Sequence, residues 1–343
     1  MNKRLLMVLV IVLLVAQATA VFAAGAKEGA QVQRHAFIFK NTGNPYGDKQ
    51  MEGFAAGIKE QGFEAITRAP DQPTAEAQIQ IIEQLIAQRV ASITITGNDF
   101  DALQPVLTRA KNQGIKVLSA DSAVNPASRL THINQADSEM IGRTLIQAAF
   151  DMAGGSGDIA ILSATSQASN QNLWIEWMKK ELAENAAKYA NLKLVRVAYG
   201  DDLRDKSVSE TEALLQSFPN LKVIIAPTTV GIAAAGRVIT DRKLIGKVKV
   251  TGLGLPSEMA EYIENGACPY MFLWNPIDVG YLSAYAAVAA TKGSFTGAVG
   301  QTFSASRLGN FTVTKASDGG TEVLLGAPFK FEPKNIAMWK TVY

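Results

Sequence analysis

Cysteine and histidine are nearly absent: the 343 residues include one cysteine, Cys268, and two histidines, His35 and His132. A lone cysteine closes no internal disulfide. Set between Ala267 and Pro269 ahead of an apolar run, it reads as a small buried hydrophobe with no nucleophilic role. Neither histidine has a Cys, Asp or Glu at metal-ligating spacing, so no zinc or iron site and no other cofactor is expected. The chain also lacks a Gly-x-Ser-x-Gly elbow and a Gly-x-x-x-x-Gly-Lys-Ser/Thr loop, which weakens the case for α/β-hydrolases and P-loop enzymes. Gly154-Gly155-Ser156-Gly157 precedes a strand instead of following one, and Gly252 to Gly254 lacks a third glycine, so neither reads as a dinucleotide loop. An excess of one charge is missing too. Lys+Arg number 33 against 31 Asp+Glu, and Lys3 and Arg4 account for the difference. Without a basic run there is no field to concentrate phosphate, and nucleic acid is not an expected partner.

What is present is apolar material in ordered rhythm. At 48% hydrophobic and 19% charged residues the chain can bury sizeable cores, and its length suits two lobes. Met1 to Arg4 is a positive n-region, Leu5 to Val15 an unbroken apolar run, and Ala18-Thr19-Ala20 and Val21-Phe22-Ala23 offer small residues for cleavage. This is secretory signal anatomy over residues 1–24, with an uncleaved anchor as the alternative. It places the mature chain in the periplasm or otherwise outside the cytoplasm. The leader has no cysteine for lipid attachment, and no later segment approaches membrane-spanning length without a charge or turn former.

From Arg34 onward, short β-branched runs alternate with longer amphipathic ones. That pattern predicts an α/β fold with two doubly wound parallel-sheet lobes. Strands are expected at His35 to Phe39, Glu64 to Ala69, Ser92 to Thr96 and Lys116 to Ala120. Asn125-Pro126 breaks the rhythm, and a second set opens at Thr131 to Asn134 and runs through strands ending near Ser163, Tyr199, Ala226, Gly252 and Trp274. Helices are expected from Asp48 and, after the last of these strands, from Val279. Open parallel sheets bind ligands at the carboxyl ends of their strands. There the first unit offers Lys40, Asn44, Tyr46, Asn98, Asp99 and Asp121, and the second Asn170, Gln171, Trp174, Pro227, Thr229, Trp274 and Asn275. Amides, a carboxylate, a lysine and rings suit a neutral polyhydroxylated molecule, whose hydroxyls need donors and acceptors and whose apolar face needs a cover.

The leader, the two α/β units and the segments Phe39-Lys40-Asn41-Thr42-Gly43-Asn44-Pro45-Tyr46, Ser119-Ala120-Asp121-Ser122, Ile133-Asn134-Gln135, Asn170-Gln171-Asn172-Leu173-Trp174, Ile225-Ala226-Pro227 and Leu273-Trp274-Asn275 resemble periplasmic binding proteins of sugar ABC importers. The type is that of the ribose-binding proteins, and the subfamily is the one that includes autoinducer-2 receptors and rhamnose-binding proteins. The resemblance runs from Arg34 to the C-terminus. It implies a type I binding-protein fold with a ligand cleft between lobes joined by a hinge. Residues 34–124 with about 276–306 would form the N-terminal lobe, and 127–273 with about 307–343 the C-terminal lobe. It further implies a monomeric, non-enzymatic receptor that closes on a small sugar and docks with an ABC permease, or with a chemoreceptor or sensor kinase. The autoinducer-2 receptor pattern maps a lysine onto Lys40, an aspartate onto Asp121, a glutamine onto Gln171 and a proline carbonyl onto Pro227. It departs at Asn170, where the pattern has a second aspartate, and at Thr229, where it has alanine. Both departures favour an aldose or deoxyhexose, such as rhamnose, over autoinducer-2. A secreted sugar-processing hydrolase with Asp99 and Asp121 as its carboxylate pair is the remote alternative.

Overall fold

Near-continuous apolar runs in this chain become strands covered on both faces, as parallel sheets packed under helices require. The computed structural model describes residues 32–343, and the expected leader lies outside the described residues. β1 (Arg34–Ile38), α1 (Pro45–Glu60), β2 (Glu64–Arg68), α2 (Ala75–Ala87), β3 (Ser92–Ile95), α3 (Gln104–Asn112), β4 (Lys116–Ala120) and β5 (His132–Asn134) alternate along the first part. The second part runs through α4 (Ser138–Ala153), β6 (Gly157–Ser163), α5 (Ser169–Glu184), β7 (Leu192–Tyr199), α6 (Arg204–Ser217), β8 (Leu221–Ala226), α7 (Thr229–Asp241), β9 (Lys249–Gly252) and α8 (Pro256–Glu264). After β10 (Met271–Leu273) and α9 (Pro276–Thr291) come β11 (Thr302–Ser304), β12 (Asn310–Thr312), β13 (Thr314–Lys315), β14 (Thr321–Leu324), β15 (Phe329–Phe331) and α10 (Ile336–Trp339).

Two sheets organise these elements, with strand orders β13-β14-β5-β4-β3-β1-β2 and β7-β6-β8-β9. This is the expected α/β architecture of parallel-sheet lobes. In the first, the chain leaves β1 toward β2 on one side and returns through β3 on the other. In the second it leaves β6 toward β7 and returns through β8. Each sheet therefore has a topological switch point, beside β1 and beside β6, where loops diverge and leave a crevice. A parallel bridge from Leu253 to Phe272 and the antiparallel β10–β15 pair extend the second lobe.

The expected lobe boundaries need correction at two places. β5 pairs with β4 through Ser119↔His132 and Ala120↔Ile133, and so closes the first lobe instead of opening the second. Asn125-Pro126 is a local turn: Asn125 Oδ1 accepts from Ala127 N at 3.0 Å and Ser128 Oγ donates to Asn125 O at 2.8 Å. β13 and β14 also join the first sheet, because β14 adds in parallel to β5 and Arg129 pairs with Asp318 at 2.7 Å. Among the described residues the chain thus crosses between lobes at 135–137, 274–275 and 325–328.

Two helices start three residues earlier than their sequence pattern suggests. Pro45 and Pro276 sit in the first helical turn, where a missing N–H costs nothing. Asn44 Oδ1 accepts from Tyr46 N at 3.1 Å and Asn275 Oδ1 from Ile277 N at 3.0 Å. These two capped helices, α1 and α9, cross with backbone against backbone. A Cβ on Gly280 would lie 1.9 Å from Gln50 O, and one on Gly53 would lie 1.9 Å from Ile277 O. Gly280→Ala gains about 1 kcal/mol of helix propensity, yet no rotamer change can move a carbonyl oxygen aside, and overpacking of this kind costs about 1–3 kcal/mol. Clearance this short puts the cost at the upper end, so the variant should melt several degrees below wild type in a calorimetric scan; an equal or higher melting temperature would show that the helices part freely.

Candidate ligand-binding site

The residues that follow the strands of both sheets converge on one cavity. From the first lobe come Phe39, Lys40, Asn44, Tyr46 and Asp121; from the second come Asn170, Gln171, Trp174, Asp202, Pro227, Thr228, Thr229, Leu253, Leu273 and Trp274. Lys40 is placed by its backbone. Asn98 Nδ2 donates to Lys40 O at 2.8 Å, while Gln78 Nε2 holds Phe39 O at 3.1 Å and Thr96 O at 2.8 Å. The buried amides Gln78 and Asn98 stitch the ends of β1 and β3 together, so the lysine leaves a fixed loop. On the opposite side Gln171 Oε1 accepts from Ser163 Oγ and Ala164 N, both at 2.8 Å, which locks the start of α5 onto the end of β6.

Asp121 sits at the centre, 5% exposed. Its backbone has a φ of +60°, a left-handed conformation uncommon for a residue with a Cβ. Tyr46 Oη donates to Asp121 Oδ1 at 3.2 Å and itself accepts from Trp274 Nε1 at 2.6 Å and Gln50 Nε2 at 3.2 Å. From the other lobe, Asn170 Nδ2 reaches Asp121 Oδ2 at 3.4 Å, and Asn170 Oδ1 accepts from Ser122 Oγ at 3.0 Å and Lys40 Nζ at 3.4 Å. Burial pushes the Asp121 carboxyl up to about 6, against the pull of Lys40 and the hydrogen bond from Tyr46. Burial likewise holds the Tyr46 phenol well above its ordinary range, with the Asp121 charge adding to the effect.

Asn98 holds the backbone of Lys40, and ten of the thirteen residues offered at the strand ends line this cavity. Asn275 does not: its Oδ1 caps α9 and its Nδ2 donates to Asp278 Oδ2 at 3.0 Å, so it belongs to the hinge crossing. Asn44 lines the cavity but spends its carbonyl on its helix cap. Asp99, half of the carboxylate pair considered for a hydrolase, accepts from Asp101 N at 2.9 Å and Ala102 N at 2.8 Å and is not part of the wall. Asp121 is also not the only buried carboxylate in the cavity. Asp202, in the loop after β7, accepts from Thr228 Oγ1 and is raised above the usual carboxylate range by burial, opposed by Lys40. The rule that found Lys40 and Asp121 would have found it had it been applied to Gly200-Asp201-Asp202 after β7. Elsewhere Cys268 is buried and its thiol is pushed up by burial alone. Among the described residues no group of three or more His, Cys, Asp or Glu could hold a metal ion.

Fold and cavity together define a two-lobed α/β receptor in which both sheets aim their switch points at one small polar chamber. Residues 35–294 match the periplasmic binding protein domain, and the chain belongs to that family. An ABC transporter solute-binding protein from Clostridium phytofermentas with bound L-rhamnose is 51% identical, superposes with a TM-score of 0.89 and aligns over 92% of this chain and 100% of its own. LsrB from Clostridium saccharobutylicum in complex with AI-2 shares the fold, with a TM-score of 0.83 at 21% identity, over 89% of this chain and 98% of its own. The D-ribose/D-allose-binding protein of Pseudomonas aeruginosa is 24% identical over 66% of this chain and 72% of its own length. Among the described residues no helix is long and apolar enough to cross a membrane.

The raised Asp121 carboxyl has a consequence for stability. A carboxyl titrating near 6 in the folded chain and near 3.8 when unfolded favours the folded state most below the unfolded value, and that advantage is lost as pH rises through 6. Ionised Asp121 therefore costs the unliganded protein roughly 3 kcal/mol at pH 7.5. Asp121→Asn keeps an acceptor for Tyr46 and removes the charge. Without ligand it should melt above wild type at pH 7.5, with the gap closing toward pH 4; a gap independent of pH would assign the effect to something other than ionisation.

Proposed function

We propose that this chain is a non-enzymatic receptor that captures a small neutral sugar by lobe closure and delivers it to an ABC permease. A deoxyhexose such as L-rhamnose is the preferred ligand, and export with removal of residues 1–24 supplies the compartment. The observation that carries this reading is the chemistry of the cavity wall. Asp121, Asp202 and the Pro227 carbonyl accept from hydroxyls, Lys40 and Gln171 donate, and Asn170 and Thr229 do both. Phe39, Leu253, Leu273 and Trp274 form an apolar side suited to a sugar ring face or a methyl group. The rhamnose-bound relative at 51% identity supports the same ligand class.

Autoinducer-2 ranks second because of Asn170. An amide there donates to Asp121 while accepting from Lys40 and Ser122; an aspartate could only accept, and would set two carboxylates side by side.

Protein stripped of ligand by unfolding and refolding should gain about 2.7 kcal/mol of stability from L-rhamnose at a hundred times its dissociation constant. Asp121→Ala should lose roughly thirtyfold to a thousandfold in affinity by calorimetry, because hydroxyl donors are left unpaired. No melting shift with L-rhamnose, D-ribose or autoinducer-2 would end the sugar-receptor reading.

Asn170→Asp combined with Thr229→Ala should shift the ratio of affinities toward autoinducer-2, by removing the amide N–H donors at 170 and the hydroxyl and methyl group at 229. Both ligands must be titrated against both proteins; an unchanged ratio would show that these two positions do not choose the ligand.

A further inference from the structure

Trp174 lies in the first turns of α5, is 2% exposed and is one of the residues that line the cavity. Its indole Nε1 is buried and has no hydrogen-bond acceptor. The neighbouring indole is different: Trp274 Nε1 is bonded to Tyr46 Oη at 2.6 Å. An indole N–H can only donate, so no change of rotamer or protonation turns it into a group content to be dry. Leaving such a donor buried and unmatched costs more than making its hydrogen bond gains. Trp339 Nε1 is also unmatched, but Trp339 sits among Phe329, Phe331 and Tyr343, away from the cavity wall.

None of the acceptors already present in the wall is bonded to this indole, although Asp121 and Asp202 keep lone pairs for a ligand's hydroxyls. Asp121 takes Tyr46 Oη and Asn170 Nδ2, and Asp202 takes Thr228 Oγ1. Gln171 Oε1 is saturated by Ser163 and Ala164. We propose that Trp174 Nε1 donates to an oxygen of the bound sugar, so that the ligand supplies the acceptor this donor lacks and the residue selects for molecules carrying an oxygen at that point of the ring. The inference rests on the sugar-receptor reading above and adds one recognition contact to it. It also gives Trp174 a task beyond covering an apolar face: a ligand presenting a methyl or methylene group to the indole edge would leave the donor unmatched and bind more weakly.

One competing arrangement is visible. The rings of Trp174 and Trp274 meet edge to face, with centroids 5.9 Å apart and planes at 61°, and a π-face can act as a weak acceptor. Indole-15N-labelled protein separates the two, because a proton over a ring is shielded whereas one donated to oxygen is deshielded. The four tryptophans give four indole signals, and Trp174→Phe identifies the one that disappears. On titration with L-rhamnose, or with D-ribose if L-rhamnose does not bind, the Trp174 indole proton should move downfield while that of Trp339 stays in place. By calorimetry Trp174→Phe should weaken the same sugar about five- to fiftyfold. Binding with a Trp174 signal that stays put or moves upfield, or a Trp174→Phe variant of unchanged affinity, would overturn the contact and leave the sugar-receptor reading standing. A wild-type protein that binds neither sugar would overturn both.

Discussion

Everything at the centre of this molecule depends on keeping one carboxylate out of water where the two lobes meet. Asp121 is nearly dry, holds a left-handed backbone and draws hydrogen bonds from both sides of the cleft. Backbone strain of this kind costs on the order of 1–3 kcal/mol and persists only where surrounding structure over-determines it. The over-determination is visible here as a relay. Trp274, on a crossing between lobes, donates to Tyr46 in the first turn of α1, and Tyr46 donates to Asp121. A hinge residue, a helix start and a strand end are thereby tied to one acceptor. A rotation of the lobes that displaced Trp274 would change how well Asp121 is solvated, so the proposed closure and ligand affinity would act through the same few atoms.

The proposed closure needs a closed form that is neither too stable nor out of reach. Ser122 Oγ donates to Asn170 Oδ1 at 3.0 Å, Ser169 Oγ to Ala123 O at 2.9 Å, and Asn170 Nδ2 to Asp121 at 3.4 Å, all from lobe to lobe. Each such bond is worth about 1 kcal/mol net of the water it replaces. Together they offset a few kcal/mol of the cost of burying two carboxylates beside one lysine. Open and closed forms separated by energies of that size respond to a ligand that contacts both walls at once, since only differential affinity shifts such an equilibrium.

The fold was legible because periodicity reports burial. Alternating apolar runs locate β1 to β10 to within one or two residues, whereas β13 and β14, which complete the first sheet, lie outside that pattern; ten of the thirteen strand-end residues meet at one cavity. What the sequence concealed were partnerships. The three-residue β5 looks the same whether it closes one sheet or opens the next, and only its pairing with β4 decides. Asn275 has the composition of a sugar ligand, and whether it caps α9 or faces the cavity depends on where that helix starts, which the Pro276 signal marked three residues before the apolar pattern. Asp202 carries the same signal as Lys40 and Asp121, a charged residue in the loop that follows a parallel strand. The orphaned indole of Trp174 has no sequence signature at all, since an unmatched donor is a property of everything around it.

Charge counting links the missed carboxylate to the substituted one. The cavity contains Asp121 and Asp202 with Lys40 as its only cationic wall residue, so with both acids ionised it already carries one uncompensated negative charge. Burial raises both carboxyls above their ordinary range. An aspartate at position 170 would add a third acid within hydrogen-bonding reach of Asp121. Like charges so close in a dry site cannot all ionise, and one would keep its proton. Asparagine avoids that outcome while spanning the same gap, with its amide N–H toward Asp121 and its carbonyl toward Lys40 and Ser122. Asp202 on the loop after β7 thus gives the wall a second buried carboxylate able to accept hydroxyl protons, while Asn170 at the start of α5 joins the lobes through Asp121, Lys40 and Ser122.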